Sequence, residues 1–268
     1  MSTPELLADQ AHQLDTQHHW TQAAQIYLQA ANQETNPNKK SLFQAFSAQM
    51  LINSGQVAQA LDRLQDTAQQ AKNDQLTSET HTRINYHVGW AYYDSGQYPQ
   101  ARQTFQTALS LAETPDLKSA IEHHLARVDL DEGILSSNPQ QLTNAYQQLS
   151  NHNQQLGGEV AHDLRLMARA QQCLTLINQS TQSQQLADQL YEQSTIIFKN
   201  QGDPYYPYLL PAERQLLQET KQPQVAIQFQ NYLRPRREQL ITELEQAPEP
   251  QRPSIINKLV EDFKQTLQ

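Results

Sequence analysis

The chain is short of the residues on which most non-helical and catalytic folds depend. Its 268 residues contain one cysteine, seven glycines, two tryptophans and three methionines. A lone thiol, Cys173, excludes an intrachain disulfide framework. Seven glycines scattered through turns leave little material for a phosphate-cradling loop, and neither the Gly-x-Gly-x-x-Gly nor the Walker pattern occurs. No His-Glu-x-x-His and no Gly-x-Ser-x-Gly elbow occurs either. Valine and isoleucine are sparse and no stretch alternates apolar with polar residues for long, so little strand is expected. No apolar run approaches the ~18 residues of a membrane span. The opening MSTPELLADQ lacks the basic-then-apolar order of a signal peptide. A soluble, cytoplasmic protein is expected.

Basic residues are also in the minority. Nineteen Lys and Arg stand against 28 Asp and Glu, a net charge of −9. That balance argues against nucleic acid as a partner, because phosphates require a cationic surface. Nine histidines would soften the charge only below about pH 6.5.

What is abundant is glutamine, a fair helix former, within a repeating pattern of small and large residues. The clearest copy is NYHVGWAYYDSGQYPQARQTFQTALSLAETP, residues 85–115. Val88, Gly89, Tyr92 and Tyr93 recur at helical spacing. DSGQ at Asp94–Gln97 reads as a turn, with Gly96 in the left-handed conformation that ends a helix. Pro99 suits the first turn of the next helix, whose inner face carries Ala101, Phe105 and Ala108. Pro115 closes the unit. Two antiparallel helices packed closely leave no room for large side chains where their axes approach, so Gly89 and Ala101 are placed there. Tyr92, Tyr98 and Phe105 fill the space around them.

This stretch resembles a tetratricopeptide repeat, through Val88-Gly89, Tyr92, Ala101, Phe105 and Pro115. Asn85 departs from the family's large aromatic first position, and the proline comes slightly late. The second-helix signature recurs around Ala23, Ala60, Ala145, Ala187 and Ala226, roughly 37 to 44 residues apart against about 34 in the family's strict unit. The resemblance implies an all-α, right-handed superhelical solenoid of about five to six TPR-like hairpins. Residues 1–247 are assigned to the repeats. Residues 248–268 are assigned to a linker, PEPQRP, and a C-terminal capping helix striped by Ile255, Ile256, Leu259, Val260, Phe263 and Leu267.

No catalytic residue, cofactor or metal site is expected. His18-His19 and His123-His124 are adjacent pairs that diverge by about 100° on a helix. His12, His87, His152 and His162 stand isolated, and Asp129, Asp131 and Glu132 read as a solvated helix end. Cys173, in the apolar ARAQQCLTLI, reads as a buried thiol, with Arg169 one turn away as the feature that would make it reactive.

In a solenoid of this kind the first helices line the concave face. Their exposed residues are the binding candidates: Arg83, Tyr86, His87, Trp90 and Tyr93 on the third repeat, His123 and Arg127 on the fourth, Arg165 and Arg169 on the fifth. Aromatics and Arg dominate recognition surfaces. The arginines on successive first helices would suit an acidic peptide or a C-terminal carboxylate, gripped by paired hydrogen bonds.

The positions at which chaperone-adaptor relatives place a carboxylate clamp hold Ala8, His12, Phe46, Arg83 and His87, so that role is disfavoured. The long, degenerate repeats resemble those of bacterial peptide-pheromone receptors and response-regulator phosphatase regulators. With the first repeat starting near Glu5, the chain would be a sensor domain alone or share only the scaffold. Three expectations follow: a non-catalytic protein- or peptide-binding scaffold, a regulatory peptide sensor, and a module that self-associates as a homodimer through Tyr205, Tyr206 and Tyr208.

Overall fold

The computed structural model describes residues 3–71 and 76–267. Among these residues the chain forms fourteen α-helices and no strand. In chain order they are α1 (Pro4–Thr16), α2 (Trp20–Gln33), α3 (Pro37–Asn53), α4 (Val57–Ala71), α5 (Ser78–Asp94), α6 (Tyr98–Leu111) and α7 (Pro115–Leu135). Then follow α8 (Pro139–Gln155), α9 (Ala161–Asn178), α10 (Thr181–Asn200), α11 (Tyr206–Thr220), α12 (Val225–Leu233), α13 (Arg237–Gln246) and α14 (Arg252–Gln265). Pro115 opens α7 rather than closing the hairpin before it.

Local chemistry sets the helix starts. Asn36 and Asn138 each precede a proline and accept hydrogen bonds from the next two exposed amides, at 3.0 and 3.2 Å in both cases. Thr3, Thr77 and Ser180 cap α1, α5 and α10 in the same way. α2 and α6 begin without such help, since His19 and Gln97 make no side-chain cap.

The helices pair in order, as α1/α2, α3/α4, α5/α6, α7/α8, α9/α10 and α11/α12. The alanine expected at each close approach is buried in all six pairs: Ala23, Ala60, Ala101, Ala145, Ala187 and Ala226 are at most 1 % exposed. Twelve residues before the first four of these stand Ala11, Ala48, Gly89 and Gly133, again all small and buried. The glycines show why. A Cβ on Gly89 would lie 2.8 Å from the Phe105 ring, and one on Gly133 would lie 3.1 Å from the Leu142 side chain.

The chain divides into two compact units, Met1–Leu125 with Arg234–Glu238, and Ala126–Leu233 with Gln239–Gln268. The first holds α1–α6, and Tyr27, Leu64 and Phe105 fill equivalent places in its core. In the second, α9 is buried on all sides from Ala161 to Leu174, apart from His162. There α14 packs on α11 and α12, setting Phe263 5.0 Å from Phe229 and 5.3 Å from Tyr232, ring to ring, and Lys264 Nζ 2.6 Å from Glu219. Of its apolar stripe, Ile256, Val260 and Phe263 are buried, Ile255 and Leu259 half-buried, and Leu267 exposed. Residues 129–132 lie inside α7 with Asp131 buried, not at a solvated helix end.

Candidate functional site: an aromatic and histidine cluster

The first-helix residues of the N-terminal unit come together as rings. On α5, Tyr86 and Trp90 share a face at i,i+4 with centroids 6.1 Å apart, and both are half-buried. His87 lies beneath them at 3 % exposure, stacked at 6.4 Å on Trp90 and edge-on to Tyr86 at 5.1 Å. Phe46 of α3 closes the row from one side, 6.0 Å from His87. His124 of α7 closes it from the other, 5.0 Å from Trp90, 5.1 Å from Tyr86 and 5.4 Å from Phe105. His123 stands half-buried beside it at 5.4 Å. Such pairs contribute about 0.5–1.5 kcal/mol each beyond their area burial.

The two buried histidines differ in hydrogen bonding. His124 Nδ1 is 2.9 Å from the Ala120 carbonyl, which can only accept, so that nitrogen carries a proton. His87 Nδ1 has no hydrogen-bond partner among the described residues. Burial, with the Arg83 charge adding to it, pushes the His87 pKa down to about 3. His87 is therefore a neutral ring at neutral pH. Arg83, at the edge of the cluster, is partly exposed and paired with Glu79 one turn earlier, Nε to Oε1 at 3.0 Å.

The remaining candidates sit elsewhere. Tyr93 is 2 % exposed and packs edge-on to Tyr98 at 5.8 Å, so it belongs to the hairpin core and not to an exposed face. Arg127 is half-buried on α7, one turn beyond His123.

The two arginines of α9 are not exposed either. Arg169, at 1 % exposure, forks onto Glu213 of α11 (Nε to Oε1 2.9 Å, Nη2 to Oε2 2.8 Å) and donates from Nη1 to Gln230 of α12 at 2.7 Å. Burial opposes both charges, but the pairing outweighs it, holding Arg169 well above and Glu213 below their ordinary pKa values. Burial and the Glu213 charge push Tyr191, whose hydroxyl donates to Glu213 at 3.4 Å, well above its usual value. Arg165 is nine-tenths buried with its guanidinium 5.0 Å over the Tyr206 ring. These arginines build the second unit's core, so the surface carboxylate patch expected of them is absent.

The tyrosine segment is corrected in the same way. Tyr205 and Tyr206 are buried and Tyr208 half-buried, and Tyr206 stacks on Phe198 at 4.5 Å. His152 and His162 are not isolated: His152 Nδ1 donates to Asp163 at 2.6 Å, and His162 packs edge-on to Phe198 and Tyr206. Cys173 is fully buried, and burial pushes its thiol pKa up to about 12.

Sequence reasoning did not count Phe46 and His124 among the binding candidates. His124 was visible as the neighbour of His123, but its facing of α5 depends on how α7 is rotated. Nothing in the chain's periodicity shows that rotation.

No protein-family model and no curated protein matches the sequence. Among solved structures, the chain is similar to a Rap conjugation gene regulator of the plasmid pLS20 in complex with the Phr* peptide. The TM-score is 0.59 at 16 % identity, over 98 % of this chain and 74 % of that one. It is also similar to a Rap protein complexed with competence and sporulation factor, with a TM-score of 0.60 at 13 % identity, over 98 % and 75 % of the two chains. The fold is thus that of the TPR-like helical-repeat proteins.

Proposed function

We propose that the chain is a non-catalytic, cytoplasmic protein- or peptide-binding scaffold, and that the row on α3, α5 and α7 is its recognition surface. The observation that carries this reading is the half-exposed Tyr86–Trp90 pair seated on the buried rings of His87, Phe105 and His124. Rigid aromatics of this kind supply contact area at little entropic cost. Arg83, at the edge, would favour a partner with an acidic group nearby. Support for a peptide comes from the similar Rap structure, which is a complex with the Phr* peptide. The same likeness supports a second reading, a regulatory peptide sensor.

A random peptide library displayed on phage tests the proposal. Peptides enriched on the wild-type chain should bind Trp90→Ala at least tenfold more weakly, about 1.4 kcal/mol. Equal binding to both would reject this surface, and no enrichment would reject the peptide reading. If bound peptide also changes the small-angle scattering profile, the sensor reading gains over the passive scaffold. Unchanged scattering at saturation removes it.

A further inference from the structure

Five residues near the end of the chain, Arg234–Glu238, belong to the N-terminal unit. They touch the turn of each of its three hairpins. At the α1/α2 turn, the Glu238 carboxylate accepts from the Thr21 amide at 3.0 Å and from its hydroxyl at 2.7 Å. This supplies an anionic cap to α2, whose own N-cap residue His19 provides none. The Arg237 guanidinium lies 5.0 Å over the Trp20 ring at the same turn.

At the α3/α4 turn, the backbone of Arg234 and Pro235 crosses Gly55, where a Cβ would fall 2.6 Å from the Arg234 carbonyl oxygen. Gly55 has φ +83°, so both its conformation and the crossing chain exclude a side chain. At the α5/α6 turn, Arg234 donates to the backbone carbonyl of Asp94 and, at 3.0 Å, to its carboxylate. That places a cation on the negative end of α5.

An anion thus meets a helix start, a cation meets a helix end, and a glycine lies beneath the crossing backbone. None of Arg234–Arg236 is buried. At side-chain level the segment is held by polar and charge-assisted contacts at the turns, together with Arg237 over the buried Trp20 ring.

We infer that Arg234–Glu238 is a clasp that sets the spacing of the three hairpin turns and thereby the assembly of the aromatic row. Asp94 is one helical turn beyond Trp90 on α5, and Gly55 follows the helix that carries Phe46. Holding those turns fixes where both rings stand. The inference rests on packing alone and is independent of the peptide-binding reading.

The test uses the full chain labelled with 5-fluorotryptophan, whose two tryptophans give one ¹⁹F resonance at the clasp, Trp20, and one in the row, Trp90. Trp90→Phe assigns them. In Arg234→Gln/Glu238→Gln both resonances shift, and amides of residues 54–56 and 94–97 exchange at least tenfold faster, while helical circular dichroism is kept. A shift confined to Trp20 would overturn the coupling. Unchanged exchange at the turns would overturn the clasp itself. Should the double variant lose its helicity, Thr21→Val, which removes the hydroxyl that donates to Glu238 and accepts from Gln56 but removes no charge, carries the same test with the same two readouts.

Discussion

Replacing His87 with phenylalanine should make the N-terminal unit less sensitive to acid. The neutral ring is buried among Phe46, Tyr86 and Trp90 with its pKa pushed down to about 3, against 6.5 in an open chain. Between those values the unfolded chain binds a proton at this position and the folded chain does not. The pKa is lower in the folded state, so the contribution to stability is complete above about pH 6.5 and is lost as pH falls towards 3. The slope is about 1.4 kcal/mol per pH unit, and over the roughly 3.5 pH units between the two values the ceiling is about 5 kcal/mol.

Phenylalanine keeps the aromatic contacts and cannot titrate. Urea unfolding of wild type and His87→Phe, followed by tryptophan fluorescence at pH 7, 6, 5 and 4, gives the comparison. Carboxylates titrate alike in both proteins, so the difference between the two isolates the ring. The variant should gain on the wild type by about 1.4 kcal/mol for each unit below pH 6. A stability difference that stays constant from pH 7 to pH 4 would refute the burial argument, as would a His87 ring resonance that titrates near 6.5.

Three further outcomes follow from the packing. Glu213→Leu leaves the buried Arg169 guanidinium without its carboxylate and should cost about 3–5 kcal/mol, whereas Arg169→Met/Glu213→Leu should recover most of it; equal losses in a thermal or urea unfolding series would show that the pair is not coupled. Lowering the pH should weaken the same pair, because the Glu213 pKa is lower in the folded state: its contribution is present above the open-chain value of about 4.3 and falls away below it. Gly89→Ala forces a methyl group against the Phe105 ring and should cost about 1–3 kcal/mol. Adding Phe105→Leu, the residue type found at the equivalent Leu64, should restore part of that loss, and a neutral Gly89→Ala would refute the close approach.

The hairpins were legible because their rule is local. A small residue is needed wherever two helix axes approach, so Ala23, Ala60, Ala101, Ala145, Ala187 and Ala226 mark the second helices with a spacing readable along the sequence. Gly89 and Ala101 sit where that rule put them. The cluster was half legible: Tyr86, His87 and Trp90 lie on one helix, and helical spacing brings them together. Phe46 and His124 arrive from other helices, and their facing is set by packing that one helix does not encode.

The arginines of α9 show where a face-by-face reading breaks down. Arg165, Arg169 and Gln172 give that helix a polar face, which in a hairpin array should be wet. The structure buries it, because Glu213 and Gln230, 44 and 61 residues further on, supply the partners for Arg169. A polar residue on a helix is exposed only if nothing distant satisfies it. The converse holds at Arg234–Glu238, where RPRRE, three arginines together in a chain of net charge −9, finds its partners at helix ends more than a hundred residues earlier. In both places the informative signal was a charge whose sequence neighbours did not account for it, and in both the partner lay on another hairpin. The small-residue rule locates the hairpins in such a chain, and these long-range charge pairs then decide which of their polar side chains are buried.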